Sequence, residues 1–233
     1  MAKVSSTHDK IADFEANIAR FFLTIGRANG SQEYEDEHIH WIMGDAPKSS
    51  HNVVVRSSLP IELADEKIQE GVRVSREFGQ PCMWKVLPSS RPMDLGERLQ
   101  RVGFENIANP IGMMMDLADL EPLMLGEGVT VEQVAAEGQL DEWLEVMRDG
   151  YSFTDAMVEW QKQVLIRVGL KQDGNIRHFL ARYLGRPAGI STVFLDGDMS
   201  GIYYVATVHD ARKKGIGSAV TCDAVNFARR AGW

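Results

Sequence analysis

The segment Ala211–Val220 reads ARKKGIGSAV, and it sets three consecutive cations, Arg212, Lys213 and Lys214, directly before Gly215, Ile216 and Gly217. Beyond it, Val220, Ala224, Phe227, Ala228 and Ala231 keep the spacing of one apolar helix face, with Arg229 and Arg230 in the last turn and Gly232 as terminator. The start of such a helix offers unpaired backbone N–H groups and the positive end of a dipole, and glycine lets an anion approach that backbone without a Cβ in the way. The chemistry open to Arg212 through Ser218 is therefore the holding of an anion, and the physical reading is a pyrophosphate cradle. A basic turn before a helix is also what a plain solvated connection looks like. The elements in front of it must decide.

Two common phosphate loops do not fit. A Walker A loop places its lysine after the second glycine, whereas here the lysines come first. A dinucleotide fingerprint asks for Gly or Ala where Val220 stands, an acidic residue about twenty positions later and a parallel strand–helix–strand unit.

The elements ahead of the turn are of another kind. A strand over Val129–Val134 is followed by helices over Leu140–Met147, facing inward with Leu140, Trp143, Leu144 and Met147, and Ala156–Val168, facing inward with Met157, Val164, Leu165 and Val168. The loop Tyr151–Asp155 lies between them. Arg177–Tyr183 and Ala188–Leu195 read as strands turned by Gly185-Arg186-Pro187, and Asp196-Gly197 is a hairpin signal leading into a strand over Gly201–Val208, with Asp198 in the turn. Three antiparallel strands thus run straight into the cation turn.

In this setting ATVHDARKKGIGSAV resembles the acyl-CoA-binding motif of the GNAT superfamily of N-acetyltransferases, and the order of elements over Val129–Gly232 is similar to that fold. The resemblance implies that Val205, Ala206 and Thr207 pair with the pantetheine arm beside a bulge in the strand. It implies also that Arg212, Lys213, Lys214, Gly215, Ile216, Gly217 and Ser218 hold the pyrophosphate of acetyl-CoA, a cosubstrate, with no metal. One departure is His209, where many members have proline; it reads as a surface side chain. The usual glutamate base falls at Gly201, which cannot serve. Tyr203 or Tyr204 faces the cleft or packs, and the usual acid, a tyrosine after a fifth strand, has no position before Trp233. No catalytic residue is assigned. The loop Tyr151–Asp155 is expected over the acceptor cleft, although Tyr151 and Phe153 are equally readable as anchors of the helix pair.

The first half repeats part of this order. A helix over Ile11–Ala28 ends at Asn29-Gly30-Ser31; strands follow at His38–Met43 and Asn52–Arg56, then a helix over Ala64–Phe78 and a buried strand over Pro81–Pro88. A further helix is expected to start at Asp94, capped by that residue with Glu97 reaching back, and to end at Gly103. Ile111–Leu117 (IGMMMDL) reads as a strand, with a helix as the alternative. LQRVGF, Leu99–Phe104, is similar to the close of a GNAT fold. Where a cradle would stand, SSLPIELADEK carries no glycine, and Glu62, Asp65 and Glu66 repel a pyrophosphate.

The expected fold is α/β of the α+β kind: two GNAT-like domains, each a mixed, mainly antiparallel sheet flanked by helices. Residues 1–120 form a degenerate domain that packs and shapes the acceptor cleft, and residues 127–233 form an acetyl-CoA-binding domain lacking the last strands and helix of relatives. A fragment of a longer product, a homodimer that completes the fold by swapping, or a binding module would account for that end, and the fragment is favoured because an open sheet edge beside a ligand groove invites aggregation.

Composition limits the partners. The 233 residues are 44% hydrophobic and 25% charged, with a net charge of −8, which argues against nucleic acid as a partner. No apolar run is long enough for a signal peptide or membrane span, so the expected setting is cytoplasmic. Cys82 and Cys222 read as two reduced thiols. Two functions follow: an N-acetyltransferase acting on a primary amine of a small molecule or peptide, or an acyl-CoA-binding module without turnover.

Overall fold

A computed structural model describes residues 7–47, 49–117, 126–170, 174–197 and 199–232. The chain divides into two compact units, Met1–Met114 and Met115–Trp233. Each carries a four-stranded sheet covered by helices on both faces.

In the first unit, α1 (Thr7–Ala28) leads into β1 (Gln32–Glu35), β2 (Ile39–Met43) and β3 (Val53–Ser57), then α2 (Ala64–Phe78), β4 (Met83–Trp84) and α3 (Leu95–Arg101). The sheet order is β1-β2-β3-β4, antiparallel except for the parallel pair β3–β4. Ile42, Val53 and Val55 face Leu23 of α1, while Trp41, Met43 and Val54 face Ile68 of α2 and Leu95 and Leu99 of α3. Both faces of the central strands are dry, which is why NVVVR is a nearly unbroken apolar run rather than an alternating one.

Several expectations for this unit change. The strand β1 was not expected after Asn29-Gly30-Ser31. Its sequence QEYE is almost wholly exposed, and it is held at the edge by Arg27 on Glu33 at 2.6 Å and by His40 Nε2 on Glu33 at 2.8 Å. The strand expected over Pro81–Pro88 shrinks to Met83–Trp84. One more bond, Lys85 N–H to the Val54 carbonyl at 3.0 Å, follows it; then the chain turns away, with Ser90 Oγ accepting the Leu87 N–H. Asp94 does not cap α3 through its side chain; its carboxylate takes Arg98 Nε at 3.0 Å instead. The helix does close at Gly103, whose φ is 98° and whose neighbour Phe104 donates its N–H to Leu99. Ile111–Leu117 forms neither the expected strand nor a helix: no strand among the described residues pairs with it, and Ile111 and Met113 are 86% and 84% exposed.

The second unit follows expectation more closely. β5 (Val129–Gln133), α4 (Glu137–Tyr151), α5 (Asp155–Val168), β6 (Ile176–Tyr183), β7 (Arg186–Asp196), β8 (Met199–Thr207) and α6 (Ile216–Arg230) occur in the anticipated order. The sheet is wholly antiparallel, β5-β6-β7-β8, one strand more than the three that feed the turn. Asp196 pairs with Met199, and the expected turn residue Asp198 lies outside the described residues. Leu140, Trp143, Leu144 and Met147 of α4 and Leu165 of α5 pack on one face, against Leu180 and Ile190. On α5 the buried set is Val158, Gln161, Val164 and Leu165, with Met157 only partly buried. Thr154 caps α5, its Oγ1 accepting the Met157 N–H at 3.3 Å. The loop between the helices is shorter than expected, because α4 continues through Tyr151 before Ser152 turns the chain at φ 54°.

The other face belongs to α6. Val220, Ala224 and Ala228 are fully buried against Phe179, Ala181 and Val193. Small residues on this stripe let the helix axis lie close to the sheet, and that fixes where its N-terminus ends up.

Candidate functional site

The site is built at the edge strand. Along β7–β8 the register slips between Ile190 and Thr192, so that Tyr204 and Val205 both stand opposite Ser191, and Tyr204 adopts φ 51°. This is a β-bulge, the bend in the strand that the sequence comparison implied. β8 has β7 on one side and no paired strand on the other among the described residues.

Past the bulge the chain passes through a single turn at His209–Ala211 and enters the cation segment. Arg212 is extended and its Nε donates to the Thr207 carbonyl at 3.2 Å. Lys213 takes φ 64°, a left-handed conformation unfavourable for a residue with a Cβ. Gly215 follows at φ 77° and is the N-cap of α6; its carbonyl accepts the first helical bond, from Ala219 N–H at 2.9 Å. The N–H groups of Ile216, Gly217 and Ser218 therefore belong to the first turn, where no intrahelical acceptor exists. That turn carries no acidic residue to compete with a bound anion.

A concavity of about 260 Å³ opens at this point. Thr207, Ala211, Arg212, Lys213 and Gly215 through Ser218 line it. The two glycines play different parts. Gly215 supplies the left-handed turn in open space, whereas Gly217 lies against the strand, where an added Cβ would meet Thr207 Oγ1 at 3.3 Å. Ile216 points inward and is fully buried.

Of the ten residues expected to contact a donor, seven line this concavity. Lys214 does not: its Nζ lies 4.7 Å above the ring of Tyr183, a cation–π contact that turns its charge toward β6. Val205 stands at the bulge, 40% exposed, and Ala206 is buried against α4. His209 is a surface side chain as expected, with its backbone N–H bound to the Asp149 carboxylate at 2.7 Å.

Tyr203 and Tyr204 do not alternate between faces as expected: Tyr203 stands opposite Thr192, whose hydroxyl meets His178 beneath Trp143, and Tyr204 at the bulge turns to the same α4 side. Tyr203 meets Phe194 edge-on, and Tyr204 meets Trp143 with ring centroids 5.9 Å apart, where burial pushes its phenol well above the usual value. Beneath Trp143 lies His178, whose Nδ1 pairs with Thr192 Oγ1 at 2.7 Å and whose imidazole is held neutral by burial and by Arg177, its pKa lowered to about 3. A histidine so placed is part of the core and not a base for an amine in solution.

Three positions that matter here were not anticipated. Gly189 on β7 and Gly150 on α4 are points of close approach: a Cβ on Gly189 would stand 2.6 Å from Ile216 Cγ2, and one on Gly150 would stand 2.6 Å from the Ala206 Cβ. Each lets a helix end come down onto the site. Asp149 ties the end of α4 to the turn, and no spacing rule singles it out.

Among the described residues no cluster of His, Cys, Asp and Glu could hold a metal, and no helix is long and apolar enough to cross a membrane.

Comparison with known proteins agrees with this geometry. The family model of the acetyltransferase (GNAT) domain matches residues 123–233. Among solved structures, the GCN5-related N-acetyltransferase from Kribbella flavida aligns with a TM-score of 0.68 at 17% identity, over 92% of this chain and 81% of its own. A functionally unknown conserved protein from Staphylococcus epidermidis aligns with a TM-score of 0.58 at 14% identity, over 87% of this chain and 80% of its own. At these identities the likeness is one of fold. No curated protein matches the sequence.

Proposed function

We propose that the protein, whose residues 123–233 match the model of the GNAT acetyltransferase domain, is an acyltransferase that transfers the acetyl group of acetyl-CoA to a primary amine of a small molecule or peptide. The observation that carries this reading is the junction of β8 and α6. A bulged edge strand with an open side leads directly into a cation turn and a helix start, and the concavity between them is lined by Arg212, Lys213 and the first-turn backbone.

In this reading the donor lies along one line. Its diphosphate sits against the N–H groups of Ile216, Gly217 and Ser218, with Arg212 and Lys213 as counter-charges. Its pantetheine arm runs along Val205–Thr207. The thioester then lies near the bulge, where a strand N–H can polarise the carbonyl as the amine attacks. The nitrogen lone pair forms the new C–N bond, the C–S bond breaks, the nitrogen gives up a proton, and the thiolate of coenzyme A takes one up, so that the protons balance. Lys214 contributes to the long-range field rather than by contact.

The first unit is proposed as a degenerate domain of the same kind that binds no coenzyme A. Its turn between β3 and α2 lacks glycine, and Asp65 and Glu66 occupy the first turn of α2, where an anion would otherwise bind. The protein works in the cytoplasm, where acetyl-CoA is made and used.

Calorimetry with acetyl-CoA, paired with a thiol-release assay over a panel of amines, tests the proposal. Binding with release of coenzyme A on at least one amine supports it. Binding without turnover on any amine would leave a donor-binding module, and no binding would remove the donor site altogether.

A further inference from the structure

The proposed donor groove follows the open edge of β8, and both carbonyls along that edge are already taken by side chains of the protein. Val208 donates its N–H to Ala188 at 3.0 Å, while Ala206 stands opposite Ile190 and Thr207 opposite Gly189. Bonded and non-bonded pairs alternate along an antiparallel ladder, so Thr207 turns its N–H and carbonyl away from β7. That carbonyl accepts from Arg212 Nε. Two residues earlier, at the bulge, the Val205 carbonyl accepts from the hydroxyl of Tyr151 at 3.0 Å.

Tyr151 reaches this carbonyl because the two residues before it fasten the end of α4 to the chain just beyond Val205. Gly150 lies in contact with Ala206, and Asp149 holds the His209 N–H. Three consecutive residues of α4 therefore fasten the edge from Val205 to His209. The Tyr151 ring is steadied by Phe153, 5.7 Å away between centroids, across the turn at Ser152.

The arm of coenzyme A carries two amides between its diphosphate and its sulfur. Their N–H groups need the same kind of acceptor that the edge carbonyls provide. Arg212 marks the diphosphate end of that edge, and Tyr151 marks the end nearer the sulfur.

We infer that the Tyr151 hydroxyl is a latch on the donor groove: it holds the place of a pantetheine amide on the Val205 carbonyl and is displaced when the arm binds, freeing the end of α4 and residues 152–154 to move over the acceptor. The inference rests on the donor site proposed above. It makes Tyr151 a positioning residue that only ligands carrying the arm displace; nucleotides that carry only the diphosphate leave it on the Val205 carbonyl.

The test compares two probes by calorimetry, coenzyme A and ADP, on the whole chain and its Tyr151→Phe and Tyr151→Leu variants. Both substitutions remove the hydroxyl, so the arm no longer competes for Val205. Coenzyme A is expected to bind the variants roughly threefold to tenfold more tightly than the wild type, the value of one net hydrogen bond. ADP is expected to bind all three equally. If ADP binds and coenzyme A shows no gain in either variant, the latch is wrong and the donor site stands. If neither probe binds any of the three proteins, the donor site falls and the latch falls with it.

Discussion

Gly189 lies directly beneath Ile216: a Cβ on the glycine would stand 2.6 Å from the isoleucine Cγ2, closer than two carbon atoms approach. This contact sets the height of the α6 N-terminus above the sheet, and with it the depth of the concavity there. Ile216 is fully buried. Gly189→Ala is therefore expected to destabilise the protein by about 1–3 kcal/mol, the usual cost of overpacking, and to weaken acetyl-CoA binding as the helix start lifts. In the double variant with Ile216→Ala the two losses should be less than additive, because the second change removes the atom that collides. Denaturant melts of the four proteins check this; strict additivity would mean that the contact does not set the helix position.

Gly215 fails differently when it is replaced. An added Cβ meets nothing within 4 Å, but φ of 77° is left-handed. Gly215→Ala should lower stability by about 1 kcal/mol with a modest effect on binding. Gly215→Asp adds a carboxylate at the mouth of the concavity and is expected to weaken acetyl-CoA binding by at least about tenfold. An affinity for acetyl-CoA that survives Gly215→Asp unchanged would move the donor site elsewhere.

The lysines should separate as well. Lys213 lines the concavity from a left-handed conformation, whereas Lys214 lies over Tyr183. Lys213→Gly relieves the backbone and removes the charge, so stability should rise by roughly 0.5–1 kcal/mol while affinity for acetyl-CoA falls several-fold. Lys214→Ala should do the reverse, costing roughly 0.5–1 kcal/mol of stability and leaving affinity nearly intact. Melting temperatures and titrations of the two variants, measured side by side at one ionic strength, decide between them.

The sequence was legible where a pattern repeats. The face Val220, Ala224, Ala228 on α6 and the succession of strand lengths in the second unit carry their periods openly, and the turn from Arg212 to Ser218 is contiguous in the chain. Legibility ended where a residue acts through something distant in the chain. β1 is a strand because Glu33 meets Arg27 and His40, and QEYE has no apolar alternation to announce it. Met113–Met115 has the composition of a strand but finds no partner among the described residues. Lys214 is written into the motif beside Lys213, yet the left-handed turn at Lys213 sends it toward Tyr183. Gly189 and Gly150 look like any glycine until α6 lies over the first and β8 lies against the second. The bulge is a register slip of one residue, invisible to a period of two.

His178 provides a test of the core beneath the bulge. Its imidazole is fully buried, paired with Thr192 Oγ1 and crossed by the edge of Trp143 at 5.2 Å, and burial together with the Arg177 charge lowers its pKa from 6.5 to about 3. The folded protein thus keeps this ring neutral down to about pH 3, while the unfolded chain takes up a proton near pH 6.5. Between those values the unfolded state binds more protons, so stability must fall as pH falls; above pH 6.5 the group makes no contribution to the slope. The limiting slope is about 1.4 kcal/mol per pH unit. Urea unfolding of the wild type between pH 7.5 and 4, scanned on the order of every half unit, should show this decline beginning near pH 6.5. His178→Gln keeps a group able to bond Thr192 but cannot titrate, and it is expected to be less stable at pH 7 with a visibly shallower acid slope. Equal slopes in the two proteins would mean that His178 is protonated, or solvated, in the folded state.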